Sequence, residues 1–115
     1  MAAATVDAVR NVSAPAVLVF TRSGFSARLV SSYRPPVPVF AVTTEPLTYR
    51  QLAGVWGVVP VLADPHEDTY EGLRSVGRDA ILRAGAGDPG APVVVTAGFP
   101  FQHAGTTNTM RVERL

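Results

Sequence analysis

The chain has 115 residues, 47% of them apolar and 17% charged, with a net charge of +1; this suits one folded domain with a real core and makes no general electrostatic case for nucleic acid or an anionic membrane as partner. It has no cysteine, and all ten basic residues are arginine, so disulfides, zinc thiolates, thiol nucleophiles, Schiff-base chemistry and a P-loop lysine are excluded. No apolar run approaches the ~20 residues of a membrane span, and the opening lacks the charged-then-apolar layout of a signal peptide, which points to a soluble, cytoplasmic type of protein.

In chain order, AAATVDAVRNV reads as a helix with no capping residue before it. That fits either a frayed native start or a chain cut from something longer. AVLVF (16–20) is a short apolar run bounded by turn signals, a buried strand. Residues 26–33 then predict a helix with Phe25, Leu29, Val30 and Tyr33 on its packed face. The prolines of RPPVP end it, and VFAV (39–42) is a second buried strand. TTEP predicts a helix start, with Thr43 or Thr44 as cap and Pro46 in the first turn, and a helix over 47–55 closed by Gly57. Trp56 is expected in the core or in helix-end packing.

VVPVLA (58–63) is a third strand, and Pro60 inside it argues for a sheet edge. Over 69–84 the apolar positions Tyr70, Leu73, Val76, Ala80 and Ile81 carry the longest helical spacing in the chain. GAGDPGAP is a loop and VVVTA (93–97) a fourth strand. After the loop GFPFQHAG, TTNTMRVERL alternates as a half-exposed last strand, with Thr107, Thr109, Arg111 and Glu113 against Asn108, Met110 and Val112.

This order predicts an α/β fold with helices on both faces of a mostly parallel sheet. The last two strands are joined by a loop without a helix and are expected to be antiparallel. Nothing in the chain repeats.

Most candidate chemistry dissolves on inspection. GAGDPG (85–90) has dinucleotide-type glycine spacing, but it follows a helix and precedes a strand, the reverse of what that fingerprint needs; a helix C-cap and loop explain it. His66 and His103 lie in separate polar loops without metal-ligand spacing. The acidic HED (66–68) with Glu71 suits the dipole at a helix start. No Gly-x-Ser-x-Gly elbow is present, and the strand ends offer hydroxyls and glycines instead of the carboxylate cluster that holds magnesium for phosphoryl transfer.

One segment stands out. TRSGFS (Thr21, Arg22, Ser23, Gly24, Phe25 and Ser26) follows the carboxyl end of the first strand, where open α/β sheets bind ligands. It opens a helix whose first N–H groups lack internal partners and attract phosphate. Its three hydroxyls add donors, and Arg22 adds charge. The competing reading is a plain Ser23 cap.

The blocks VLVFTRSGFSARLVSSYRPPVPVFAVT, VWGVVPVLAD and VVVTAGFP followed by GTTNTMRVERL resemble, in order and spacing, the C-terminal domain of pyruvate kinase, most closely the bacterial type, over nearly the whole chain. The resemblance implies a five-stranded mixed sheet of order 3-2-1-4-5 with the last strand antiparallel. It implies a regulatory role without catalysis: binding of a phosphorylated effector and a tetramer contact through the last strand. Chemistry, with its lysine, carboxylates, magnesium and potassium, belongs in that family to a separate barrel domain that these 115 residues do not include. No cofactor is expected in this domain, and the catalytic domain of a pyruvate kinase is an expected partner.

By the same resemblance, Thr21 to Ser26 match the loop that holds an effector phosphate. Gly98, Pro100, Gly105 and Thr106 fall in the loop that folds over the ligand. Members that bind a sugar bisphosphate use a Trp and an Arg before the fourth strand. Here that segment has no Trp, and only Arg74 and Arg78 are candidates, so a phosphorylated sugar with one phosphate or a nucleotide monophosphate is the expected effector. Two rival readings stand beside this one. The first is a small stand-alone enzyme acting on a phosphorylated metabolite, with His103 as general base, although no acidic partner lies near His103 to orient it. The second is a scaffold that only dimerises.

Overall fold

The computed structural model describes residues 1–97 and 109–115. In chain order the elements are α1 (Ala2–Val12), β1 (Val17–Phe20), α2 (Phe25–Ser32), β2 (Val39–Thr43), α3 (Pro46–Leu52), β3 (Val58–Leu62), a 3-10 turn (Pro65–Glu67), α4 (Tyr70–Arg83), β4 (Pro92–Ala97) and β5 (Thr109–Arg114). The sheet runs β3-β2-β1-β4-β5. Among the described residues only the β4/β5 pair is antiparallel, as expected from the sequence.

Strand alternation divides the core in two. Val17, Val19, Val39, Ala41 and Val94 face α1, α2 and α3, meeting Val6, Val9, Ala27, Val30 and Leu52. Leu18, Phe20, Phe40, Val42, Val93 and Val95 face the other way, onto Leu73 and Ile81 of α4. Chain direction dictates this split. The steps β1 to β2 to β3 move one way across the sheet, and β3 to β4 returns past both. Right-handed crossovers therefore place α4 on the face opposite α2 and α3. Helix α4 sits very close to the sheet at Gly77, where a Cβ would come within 2.3 Å of Leu18 Cδ1. Overpacking of this kind costs about 1–3 kcal/mol.

Several sequence expectations need correction. The face expected to bury Phe25, Leu29, Val30 and Tyr33 keeps only Val30 inside. Phe25, Leu29 and Tyr33 are exposed, while Ala27 and Ser31 are buried, because the small residues let α2 approach its neighbours. Helix α3 starts from Glu45 at the N-cap position with Pro46 in its first turn, and it ends at Leu52. Neither Thr43 nor Thr44 is the cap; the Thr43 hydroxyl, two residues ahead of the cap, instead accepts the Glu45 N–H at 3.1 Å. Gly57, at φ 68°, belongs to the following turn. Trp56 is 53% exposed, outside the core, with the Arg34 guanidinium 4.3 Å above its ring.

The short 3-10 turn is a further addition. Asp64 and Glu67 form a reciprocal capping box around Pro65, a pattern readable as Asp-Pro-x-Glu. Helix α1 has no side-chain cap, and the Thr5 hydroxyl and N–H both donate to the Met1 carbonyl at 2.9 Å.

At the β3 edge Pro60 falls where expected. The Ala63 N–H points inward to the Thr43 carbonyl, so by alternation the position of Pro60 faces outward, and its missing donor costs the ladder nothing. Strand β5 alternates, but in the opposite sense to a simple apolar-inward pattern. Its register pairs Thr109, Arg111 and Glu113 with Ala97, Val95 and Val93 on the α4 face. Met110 and Val112 lie on the other face, 36% and 50% exposed. Thr107 and Asn108, expected to begin this strand, lie outside the described residues.

Candidate functional site

Strand order places the site. Connections leave β1 toward β2 on one side, and β4 lies on the other. The carboxyl ends of β1 and β4 therefore flank the point where the direction of winding reverses, the crevice in which open α/β sheets take their ligands. The segment after β1 is Thr21 to Ser26; the segment after β4 begins the 98–108 stretch. Of the expected effector residues, Gly98, Pro100, Gly105 and Thr106 lie outside the described residues, as does His103.

The turn itself is tightly built. The Thr21 N–H still donates to the Val42 carbonyl at 3.0 Å, extending the β1/β2 ladder by one bond. Gly24 is buried at φ 88°. A side chain there would be strained, and its Cβ would lie 3.2 Å from Leu52 Cδ2, because the turn rests on α3. The Thr48 hydroxyl donates to the Arg22 carbonyl at 2.6 Å, which fixes the backbone on the same helix.

Ahead of α2, the Gly24 N–H donates to Thr21 Oγ1 at 2.8 Å, and the Phe25 N–H donates to Ser23 Oγ at 3.3 Å. Two of the donors expected to face an anion are thus met by the turn's own hydroxyls. Each hydroxyl oxygen accepts a donor that would otherwise be open at the approach to the helix. Ser26 is half-buried in the first turn of α2, and the Phe25 ring is 57% exposed.

Arg22, expected to supply positive charge, is engaged elsewhere. Its Nη2 lies 2.6 Å from Asp68 Oδ2, and its Nη1 lies 3.8 Å from Glu45 Oε1. Sequence reasoning missed both carboxylates. Asp68 was legible only as acidity before a helix, and nothing local marks a partner 46 positions away.

The other candidates fall into structural roles. Arg74 pairs with Glu71 at 2.8 Å and approaches Glu113 of β5 at 3.6 Å; these carboxylates raise the guanidinium's affinity for its proton further. Arg78 approaches Asp79 at 3.8 Å. Gly85 and Gly90, at φ 69° and 87°, shape the loop after α4, as a C-cap reading of GAGDPG requires. His66 is exposed. Its ring lies near the Asp64 and Glu67 carboxylates, which the capping box already employs. Tyr70 donates to Glu113 Oε2 at 3.2 Å and stacks edge-on with Phe20, and the Arg111 guanidinium lies 4.8 Å above its ring. Burial first, and then the Glu113 charge, push the Tyr70 hydroxyl up to about 12.

Residues 1–113 match the family described as "Pyruvate kinase, alpha/beta domain". The chain belongs to the pyruvate kinase family. It is 40% identical over 112 residues to a pyruvate kinase of Agrobacterium vitis, covering 97% of this chain and 23% of that relative. It is 42% identical over 109 residues to a pyruvate kinase of Clostridium acetobutylicum, covering 95% and 23%. To a pyruvate kinase of Geobacillus stearothermophilus it is 40% identical over 102 residues, covering 89% and 17%. The chain thus spans less than a quarter of the length of these pyruvate kinases, and the part it matches is the α/β domain. The five-stranded mixed sheet is the fold the resemblance implies. Among the described residues no helix is long and apolar enough to cross a membrane.

Proposed function

We propose that this domain is the non-catalytic, effector-binding and assembly part of a cytoplasmic pyruvate kinase, and that it binds a phosphorylated metabolite at the turn formed by Thr21, Arg22, Ser23, Gly24, Phe25 and Ser26. The observation that carries the reading is the position of that turn. It leaves the carboxyl end of β1 beside β4, at the reversal of the sheet, with Gly24 at φ 88° turning the chain into α2, and a phosphate there would take the place of the Thr21 and Ser23 hydroxyls at the Gly24 and Phe25 N–H groups. A monophosphate fits best, because the segment before β4 has no Trp to join Arg74 or Arg78 at a second phosphate. Conversion of phosphoenolpyruvate to pyruvate is assigned to the catalytic domain such a protein carries, which is the expected partner together with a second copy of this chain at β5.

Calorimetry with a panel of sugar monophosphates and nucleoside monophosphates tests the site. Replacing Ser26 removes one hydrogen bond to a charged oxygen, worth about 1.5–3 kcal/mol, so Ser26→Ala weakens binding by roughly ten-fold or more. His66→Ala leaves it unchanged. Gly24→Val is also expected to lose affinity, but it strains the backbone at positive φ and presses on Leu52, so its melting temperature is read alongside. If no member of the panel binds, the turn is a helix cap and nothing more.

A further inference from the structure

Arg22 is the one cation in the turn, and the structure spends it on carboxylates. The Asp68 contact is short, at 2.6 Å, and the Asp68 side chain is only 19% exposed; Glu45 is more distant, at 3.8 Å, and 52% exposed. The three groups together carry a net charge of −1. Meanwhile the Arg22 main chain is pinned by Thr48, so the side chain is the part of this residue free to change partners. A guanidinium meets a carboxylate or a phosphate through the same fork of N–H donors. A phosphate at the turn and the carboxylate of Asp68 therefore seek the same atoms.

We infer that the Arg22–Asp68 ion pair is a latch: an anionic ligand at the turn takes the guanidinium from Asp68, so ligand binding and release of Asp68 are one event. This rests on the turn being a phosphate site. Asp68 is an opponent of binding within it, opposite in sign to Ser26. The latch also has a place to act. Asp68 lies between the 3-10 turn, which it closes with a backbone bond to Pro65 at 3.2 Å, and Thr69, whose hydroxyl caps α4 by accepting the Gly72 N–H at 3.0 Å. Release of Asp68 removes one of the ties between the start of α4 and the end of β1, the Phe20–Tyr70 ring contact being another, and the same helix holds β5 through Tyr70 and Arg74.

The test is a titration with inorganic phosphate, followed by the backbone amide shifts of residues 23–26 in labelled protein. Four forms are compared: parent, Asp68→Asn, Arg22→Met and the double variant. Asp68→Asn keeps the backbone bond that closes the 3-10 turn. It is expected to bind phosphate roughly three- to ten-fold more tightly than the parent, the size of one regained charge-assisted hydrogen bond at a partly exposed position. The gain is expected to vanish in the Arg22→Met background. A gain of equal size with and without Arg22 overturns the latch, since Asp68 is then only a nearby negative charge. No gain in either background, with the parent still binding and Ser26→Ala still weakened, also overturns it and leaves the phosphate site standing. If none of the four forms responds to phosphate while all melt cooperatively, the site and the latch fall together. Glu45→Gln gives an independent reading, and its gain is expected to be smaller than that of Asp68→Asn.

Discussion

The two edges of the sheet are built on opposite plans. At β3 the outward backbone positions include Pro60, which has no N–H to offer. At β5 the outward positions are Met110, Val112 and Arg114: the Leu115 N–H points inward to the Ala91 carbonyl, and alternation turns those three donors away from β4. Beside them the Met110 and Val112 side chains are partly or half exposed. One edge is blunted against strand addition, and the other presents unbroken donors flanked by apolar side chains. Sheet edges are managed or used. The contrast teaches that self-association in this fold is expected at β5, even though β3 also exposes Val59 and Leu62.

The largest expected effect comes from Met110→Pro. It removes an outward donor while sparing the bonds to β4. Dimerisation through β5 is expected to weaken by at least roughly ten-fold, the loss of one or two backbone hydrogen bonds and their apolar neighbours. Light scattering across a concentration series checks this, and a strictly monomeric parent at high concentration removes the contrast altogether.

A smaller effect, in the opposite direction, is expected at the other edge. Pro60→Val restores an outward N–H to β3 and raises association there by a few-fold, with little change in melting temperature. The same scattering series in the Met110→Pro background isolates it.

A third substitution probes how β5 is fastened. Tyr70→Phe deletes the hydrogen bond to Glu113 and is expected to cost about 0.5–1.5 kcal/mol of stability by denaturant titration. It also changes the alkaline limb. The Tyr70 hydroxyl is pushed from 10.0 to about 12 in the fold, so above pH 10 the unfolded chain gives up a proton that the folded chain retains. That contribution is complete below pH 10 and is lost as pH rises toward about 12. The parent is therefore expected to lose more stability across this window than Tyr70→Phe does.

Much of the framework could be read from the residues alone. The runs VLVF, VFAV and VVVTA are continuous because β1, β2 and β4 are interior strands covered on both faces, and Pro60 marked an edge. What stayed illegible depends on partners remote in sequence or on residue size. Counting large apolar side chains chose the wrong face of α2, since close packing there favours Ala27 and Ser31 over Phe25 and Leu29. In β5, the charged residues face a helix because Tyr70 and Arg74 wait there to pair with Glu113, and no local pattern announces that. At the candidate site the Thr-Arg-Ser-Gly turn could be placed from the sequence, as could the need for a glycine in it. The fate of Arg22 could not, because Asp68 reaches it only through the crossover that brings α4 across the sheet.

The exposed indole at position 56 gives the molecule a built-in optical reporter. Trp56 is the single tryptophan. Its backbone carbonyl accepts the Ser31 hydroxyl near the end of α2, and the Arg34 guanidinium lies over its ring. All of its emission therefore comes from one known place, the junction between the end of α2 and the turn that leads into β3. Drift of that helix end away from its neighbour takes the cation off the ring and alters the indole's surroundings. Fluorescence of the unlabelled protein can thus follow α2 from its far end while a ligand is offered at the near one.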